Sequence, residues 1–470
     1  MALSEAERDT LGRLSATLPR TYRRNQTADA YYDGRQRVEQ LGLAVPPELR
    51  QFLTIVAWPG TYVDAIEERI DLEGFQLPGA SEADTDLWRI WQANGLDEES
   101  QLAHLDSLVR KQSFVIVGAG DSDTPDAPSA GGGDEDRDPA MPLVTVESSD
   151  EVAVELSPRT RRVAAAVKVY RDGLTQRATL YLPDRTVWLE RRNATWAELD
   201  RDEHELGVVP VVPLVNRPRL SRRDGVSQMQ RVISLTDAAA RALTNAQIAT
   251  EALAVPQRYV VGASQGDFKD KDGNVLPAWE VYFGAIWALK NGDAKVGQLT
   301  AADLANFKTI VDHYASLVAG VTGLPMRYLG QSTTNPPSAE GIRADESRLI
   351  KTCERFQKSA GGSWERVMRL VRRIVDGDWN PDLAQLETLW RDPATPTRAQ
   401  AADAAVKLVQ AGILPVEAAW EDLGYSAIRR LKLAEMRDAE LARDPVREIA
   451  AGLVPPETAN EPAAADAVTG

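Results

Sequence analysis

Between Ser338 and Asp376 the apolar residues Ile342, Leu349, Cys353, Phe356, Ala360, Trp364, Val367, Val371 and Ile374 recur in steps of three, four or seven. That spacing keeps one helical face apolar, and at ~1.5 Å per residue it predicts a rod of roughly 55 Å, the longest helical signal in the chain. Ser338 is placed to cap its N-terminus, and Gly361-Gly362 in its middle predicts a bend. Just before it, "GQSTTNPP" carries no charge and ends in two consecutive prolines, Pro336 and Pro337, so it continues neither helix nor strand. A second helix precedes this loop, from Thr300, with Asp303 as an acidic capping partner and Leu304, Phe307, Val311, Tyr314, Leu317, Val318 and Val321 at helical period.

Upstream, the period changes twice. The first 110 or so residues read as helical, with breaks at "VPPEL" and "LPGASEADT" and with Trp88 and Trp91 on a core-facing side. "SFVIVGAG" is a strand signal, and residues 118–142 that follow read as a mobile acidic insert, with seven acids against one arginine. From Leu143 to about Val215 the segments "LVTV", "EVAVEL", "AAAVKVY", "ATLYLP", "TVWLE" and "GVVPVVPLV" predict strands, with a hairpin turn at Asp172-Gly173. Residues 25–220 therefore read as one α/β unit. A helix from Ser227 to Ala254 stops before Pro256, and residues 257–300 return to short strands with turns at "FKDKDGNVL" and "LKNGDAKV". The last 90 residues are Ala-rich and read as helical, ending in a tail from 451 to 470 that reads as disordered.

Composition excludes more functions than it suggests. The 470-residue chain has a net charge of −16, with 54 Lys and Arg against 70 Asp and Glu, which argues against tight, static binding of nucleic acid. Looser, sliding contact with a polyanion stays compatible with it. Three histidines leave little for a metal centre or for acid–base catalysis, and "DEHEL" around His204 lacks a second histidine at helical spacing. Gly118-x-Gly120 lacks the third glycine of a dinucleotide loop, Phe268 breaks the calcium-loop pattern around "DKDGN", and neither GxxxxGK[ST] nor GxSxG occurs. No catalytic, cofactor-binding or metal-binding residue is assigned. The one cysteine, Cys353, lies on an apolar helix face and reads as a buried side chain, compatible with a reducing compartment. No apolar run reaches the ~18 residues of a membrane span, and the N-terminus lacks the apolar core of a signal sequence.

What remains is the order of parts: a mixed body, a helix, a small β-rich excursion, a return helix, a neutral loop, a very long helix and a helical end. Several stretches in that order carry a family resemblance: "YYDGRQRVEQLG", "IVAWPGTYVDAIEERIDLEGFQLPG", "LVRKQSFVIVG", "VVPVVPLVNRPRLSRRDGVSQMQRVISLTDAAARALTNAQIATEALAVPQRYVVG" and "LWRDPATPTRAQAADAAVKLVQAGILPVEAAWEDLG". Together, over residues 25 to 440, the chain resembles the portal proteins of tailed bacteriophages, in the siphophage lineage common among actinobacteriophages.

The resemblance implies an α+β, portal-type fold with these parts: an α/β wing over 1–223, a first stem helix over 224–256, a clip over 257–300 and a second stem helix over 301–322. A tunnel loop and long bent helix over 323–376, a helical crown over 377–450 and the tail complete it. It implies a non-enzymatic, homo-oligomeric ring, a dodecamer in the virion, at one capsid vertex, with assembly in the host cytoplasm. The ring would conduct double-stranded DNA during packaging and ejection, with no cofactor and no membrane contact. Its partners would be the large subunit of the packaging terminase, the head-completion adaptor and the major capsid or scaffold protein. On this reading Gln331, Ser332, Thr333, Thr334 and Asn335 line the DNA channel, where neutral hydroxyls and amides exchange weak hydrogen bonds with phosphates without trapping them. Lys269, Asp270, Lys271, Asp272, Lys290 and Asn291 at the clip tips would dock terminase and adaptor. The alternatives are another head scaffold or adaptor protein, which would lack the strand-rich wing, and an enzyme on the α/β body.

Overall fold

A computed structural model of the chain describes residues 3–36, 54–78, 83–120, 141–193, 195–253, 258–262, 295–298, 305–331, 338–394, 398–423, 425 and 427–442. Two compact units emerge, Met1–Pro393 and Ala394–Gly470. The described elements of the first are α1 (Glu5–Ser15), α2 (Leu18–Tyr32), α3 (Trp58–Glu67), β1 (Leu72–Gln76), α4 (Thr85–Ala93), α5 (Leu96–Arg110), β2 (Gln112–Gly118), β3 (Leu143–Glu147), β4 (Val152–Leu156), β5 (Val163–Asp172), β6 (Thr175–Tyr181), β7 (Thr186–Arg192), β8 (Thr195–Asp202) and β9 (Val211–Val215). After a 3₁₀ turn at Gln228–Arg231 come α6 (Ile233–Leu253), β10 (Arg258–Val261), β11 (Lys295–Gln298), α7 (Ala305–Thr322), α8 (Ala339–Asp376) and β12 (Glu387–Trp390). No described helix is long and apolar enough to cross a membrane.

Strands β4-β5-β6-β7-β8 form a five-stranded meander, and β3-β2-β9 a second sheet. Every strand pair among the described residues is antiparallel. The body expected as α/β is thus α+β in the strict sense, with hairpins in place of βαβ crossovers. At the β5–β6 turn Asp172 pairs with Thr175, so the two loop residues are Gly173 and Leu174, one place later than the sequence suggested. Gly173 has φ +58, which a side chain would resist, and Leu174 stands fully in solvent. Strand β8 carries no apolar alternation and was not expected; it pairs with β7 at the sheet edge, where charged side chains discourage further pairing.

The uninterrupted apolar run of β2 has a physical reason: both its faces are covered. Phe114 and Ile116 point towards Val152, Ala166 and Val211, joining the two sheets. Val115 and Val117 point the other way, into the main core with Trp91, Trp364 and Leu349. Helix α1, with Leu11 and Leu14, and the first residue of α2, Leu18, cover the meander against Val167, Leu180 and Leu189. The first turn of α1 is a capping box, in which the Ser4 hydroxyl accepts from the Glu7 amide at 3.2 Å and Glu7 Oε2 accepts from the Ser4 amide at 2.8 Å. The same carboxylate accepts from Arg201 Nη1 and Arg185 Nε, each at 2.9 Å, fastening the helix to the sheet. The Arg201 hydrogen bond above all holds the Glu7 carboxyl at a pKa of about 2, despite its burial.

Helix α8 runs unbroken from Ala339 to Asp376, as its periodicity required. Leu349, Cys353, Trp364, Val367, Met368 and Val371 are fully buried along it. The glycine pair in its middle marks a close approach: a Cβ on Gly361 would lie 2.4 Å from Thr388 Oγ1 of β12. That strand corrects the helical reading of the residues just after 376. Glu387–Trp390 pairs antiparallel with Leu72–Gln76, and the chain as far as Pro393 clusters with the first unit. The second unit is helical, with α9 (Arg398–Gln410), α10 (Val416–Asp422) and α11 (Ala427–Ala442). An ion pair between Arg437 and Glu417 links α11 to α10.

Candidate channel loop and its anchors

Helices α6 and α7 pack against each other, and the short antiparallel ribbon of β10 and β11 stands at their far ends. Small and apolar side chains, Ala239, Ala240, Ala315 and Val318, are fully buried on these helices. The outer face of α7 is different: Ile310, Leu317 and Val321 are 43%, 40% and 38% exposed, at spacings that place them in one stripe. These partly exposed apolar residues lie in register on one helix face and form a stripe rather than scatter.

Where α7 ends, the chain turns hard against α8. Gly323 has φ +81, and a Cβ there would lie 2.7 Å from the Arg348 Cβ, so only glycine permits this approach. Arg348 Nη1 in turn donates to the Gly320 carbonyl at 2.9 Å. A 3₁₀ turn at Met326–Leu329 follows, closed by Gly330 at φ +81. Beneath it sits the carboxylate of Glu346 on α8, largely buried. Its Oε1 accepts from the Arg327 guanidinium, from Arg69 Nη2 at 3.4 Å and from the Tyr328 hydroxyl at 3.4 Å. Arg69 Nη2 also donates to the Tyr328 oxygen at 2.9 Å, and its Nη1 to the Pro393 carbonyl at 3.3 Å. A buried carboxylate shared by two guanidinium groups is costly to break from either side, so it fixes the root of the loop.

The loop leaves from Gln331, whose side-chain amide donates to Asp312 Oδ1 on α7 and whose backbone amide donates to the Met326 carbonyl at 3.3 Å. It returns at Ser338, whose hydroxyl accepts from the Gly341 amide at 3.1 Å, the N-cap expected from sequence and a contribution of about 1 kcal/mol to the start of α8. Both ends of the neutral loop are therefore held. Of the channel residues expected from sequence, Gln331 is placed, and its side chain is engaged by Asp312. Ser332, Thr333, Thr334 and Asn335 lie outside the described residues, as do Lys269, Asp270, Lys271, Asp272, Lys290 and Asn291.

Two groups that could suggest chemistry are structural in this fold. Cys353 is fully buried, and burial pushes its thiol pKa up to about 12. His104 is buried too, with a pKa lowered by desolvation to about 3, and its Nε2 accepts from Trp364 Nε1 at 2.9 Å. Among the described residues no group of three or more His, Cys, Asp or Glu side chains converges as a metal site would require.

The sequence model of the phage portal proteins of SPP1 Gp6-like type matches residues 11–428. The chain belongs to this portal family. The portal protein of Mycobacterium phage L5 is 41% identical over 420 residues, which cover 88% of this chain and 85% of the relative. The portal protein of Mycobacterium phage D29 matches to the same extent, 41% over 420 residues. Among solved structures, a chain from the neck of an empty GTA particle, computed with C6 symmetry, aligns at a TM-score of 0.45 with 14% identity, over 82% of this chain and 95% of that one. A chain from the neck of the native GTA particle, computed with C12 symmetry, aligns at 0.42 with 14% identity, over 82% and 94%. Portal proteins are structural components, and the family carries no enzymatic activity.

The ends of the portal's neutral loop are legible in the sequence, and the contacts that hold them are not. Arg69 and Glu346 are 277 positions apart, and Asp312 meets Gln331 across a helix end. Neither pair has a local signature. Gly323 was the available clue, since a glycine directly after an apolar helix run marks a turn that a side chain would block.

Proposed function

We propose that this portal-family chain works as a closed ring, a dodecamer, at one vertex of a phage capsid. There it forms the channel through which double-stranded DNA enters during packaging and leaves during ejection. The observation that supports a ring most directly is the Ile310, Leu317 and Val321 stripe on α7. A two-helix stalk has little core of its own, and a neighbouring copy is the natural cover for that stripe. In this reading 1–223 is the wing, α6 and α7 are the stem, 257–300 is the clip and the C-terminal helices are the crown. Gln331, Ser332, Thr333, Thr334 and Asn335 line the bore. The clip residues Lys269, Asp270, Lys271, Asp272, Lys290 and Asn291 meet first the large terminase subunit and later the head-completion adaptor, while the wing and stem face the capsid or scaffold protein. Assembly takes place in the host cytoplasm.

Negative-stain electron microscopy of the purified chain, with mass photometry on the same sample, tests the ring. Rings with a central hole and a mass near twelve subunits are expected; a compact dimer without a channel would overturn the proposal. Replacing Leu317 and Val321 with aspartate should leave the helix content intact, because both side chains already face water in the single chain, and should remove rings altogether. The channel lining has its own test. With lysine at Thr333 and Thr334, rings should form, but DNA packaging should fall steeply, because each copy adds two cations that hold phosphates by counterion release. Normal packaging by that variant would move the lining elsewhere while leaving the ring in place.

A further inference from the structure

The turn that joins β9 to the Gln228–Arg231 helix concentrates positive charge in an otherwise acidic chain. Arg217, Arg219, Arg222 and Arg231, together with Ser227, Gln228 and Gln230, line a cavity of about 70 Å³. Arg355 on α8 is near enough to repel Arg217 electrostatically. Among the described residues none of these five guanidinium groups is in an ion pair with a carboxylate. The one acid in the turn, Asp224, is taken by Lys111.

The turn is also held rigidly. Asn216 Nδ2 donates to the Val226 carbonyl at 2.9 Å, and the Val226 amide donates back to the Asn216 carbonyl at 3.0 Å. Gly225, at φ +72, lets these strands close; a Cβ there would stand 2.3 Å from the Asn216 oxygen. Arg219 and Arg222 exchange backbone hydrogen bonds of 2.9 and 3.0 Å across a tight turn. Gln228 Nε2 donates to the Tyr62 hydroxyl at 2.7 Å, which fixes the floor of the cavity. Arg217 is held at φ +48, a strained setting for a side chain of this size. Burial, with Arg231, Arg219 and Arg355 adding to it, lowers the Arg217 pKa.

Like charges gathered in a stiff concave site repel one another until an anion arrives. Guanidinium groups suit a tetrahedral oxyanion because each offers paired donors in a fixed plane. We propose that Arg217, Arg219, Arg222 and Arg231 form a phosphate pocket, filled by one phosphate group of a DNA backbone. This site is separate from the neutral loop after Gln331, and it stands whether or not that loop lines a channel. Its function is to hold one phosphate firmly, whereas the loop's chemistry lets phosphates slide.

The test uses the full chain and a short blunt DNA duplex, with binding measured over a range of salt. Arg219 and Arg222 are exposed, so the R219Q/R222Q double variant should fold normally. It should bind the duplex at least about tenfold more weakly, and the slope of log affinity against log salt should flatten by about 0.9, the contribution of the one phosphate charge no longer neutralised. The R159Q/R162Q variant removes the same charge from an exposed turn and should change neither by more than a small margin. The conservative R219K/R222K variant should recover only part of the affinity, since it restores charge without the paired donors. In a parallel arm, phosphorus NMR follows inorganic phosphate added alone. Broadening that disappears in R219Q/R222Q, with the duplex unaffected, would keep the pocket and assign it to free phosphate. Equal weakening by both double variants would overturn the proposal as a general charge effect. Unchanged binding of both probes, with a change in particle mass, would overturn it in favour of pairing with a neighbouring subunit's carboxylates.

Discussion

Replacing Trp364 with alanine is expected to lower the stability of the first unit by about 3–5 kcal/mol, the range for emptying a large, fully buried aromatic site. Trp364 is 0% exposed at the middle of α8. Its ring meets Trp91 edge-on at a centroid distance of 4.9 Å, and Trp91 continues the cluster to Phe75 at 5.6 Å and Trp88 at 5.9 Å. Deleting it would open a cavity where α4, α5 and α8 converge, and backbones fixed by β2, β9 and β12 leave little freedom to collapse into it. A second loss follows, because the indole N–H is the donor to His104 Nε2. Trp364→Phe separates the two terms. It keeps most of the ring and loses the donor, so a loss of about 1–2 kcal/mol is expected, close to one buried hydrogen bond. Urea unfolding followed by near-ultraviolet circular dichroism would measure both; a Trp364→Ala loss below that of Trp364→Phe would show that the cluster is not packed as described.

Acid should weaken the same core through His104. Its Nε2 accepts from Trp364, which places the ring proton on Nδ1, and Nδ1 has no hydrogen-bond partner. The rings of Phe356, Trp390 and Trp364 surround it, so a charged imidazolium has nothing to compensate its desolvation. Burial lowers the folded pKa to about 3 from an ordinary 6.5. Between those values the unfolded chain binds a proton that the folded chain refuses. The stabilisation due to neutral His104 is therefore complete above pH 6.5 and is lost as pH falls towards 3, by about 1.4 kcal/mol per unit. From pH 7.5 to 5.0 that amounts to about 2 kcal/mol. His104→Gln keeps an acceptor for the indole and does not titrate, so this part of the pH dependence should vanish in it. Comparing the two proteins over that window cancels the other contributions, including that of His204, whose pKa burial lowers in the same sense, and that of Asp106, whose pKa burial raises. Identical pH profiles would remove His104 from the account. Glu7 lies outside the window: its carboxyl, held at about 2, supplies stability above pH 4.5 that is lost only between 4.5 and 2.

Helix α8 was readable almost to the residue, from its Ser338 cap to its last turn, because a helical face writes its burial into the chain every three or four positions. The alternation in "AAAVKVY", "ATLYLP" and "TVWLE" likewise announced β5, β6 and β7. Strand β8 was not readable, since an edge strand with charged side chains has no apolar alternation to display. Strand β12 was missed for another reason: Glu387–Trp390 is a strand only because Leu72–Gln76, more than 300 positions earlier, lies beside it. The order of parts and the quoted stretches pointed to the portal family, which the family match and the two mycobacteriophage relatives then established.

The candidate sites divide along the same line. The sequence alone carried the neutrality of the loop, the prolines that end it and the serine that starts the next helix, since these are properties of neighbouring residues. It carried nothing of Arg69 and Arg327 converging on Glu346, nor of Asp312 receiving Gln331. It also left four arginines of "NRPRLSRRDGVSQMQR" without a purpose, until the fold bent that turn around one small cavity. Periodicity and capping act over a few residues, so they are legible in one dimension. Charge partners and close backbone approaches are chosen by distance in space, and only the folded chain brings them together.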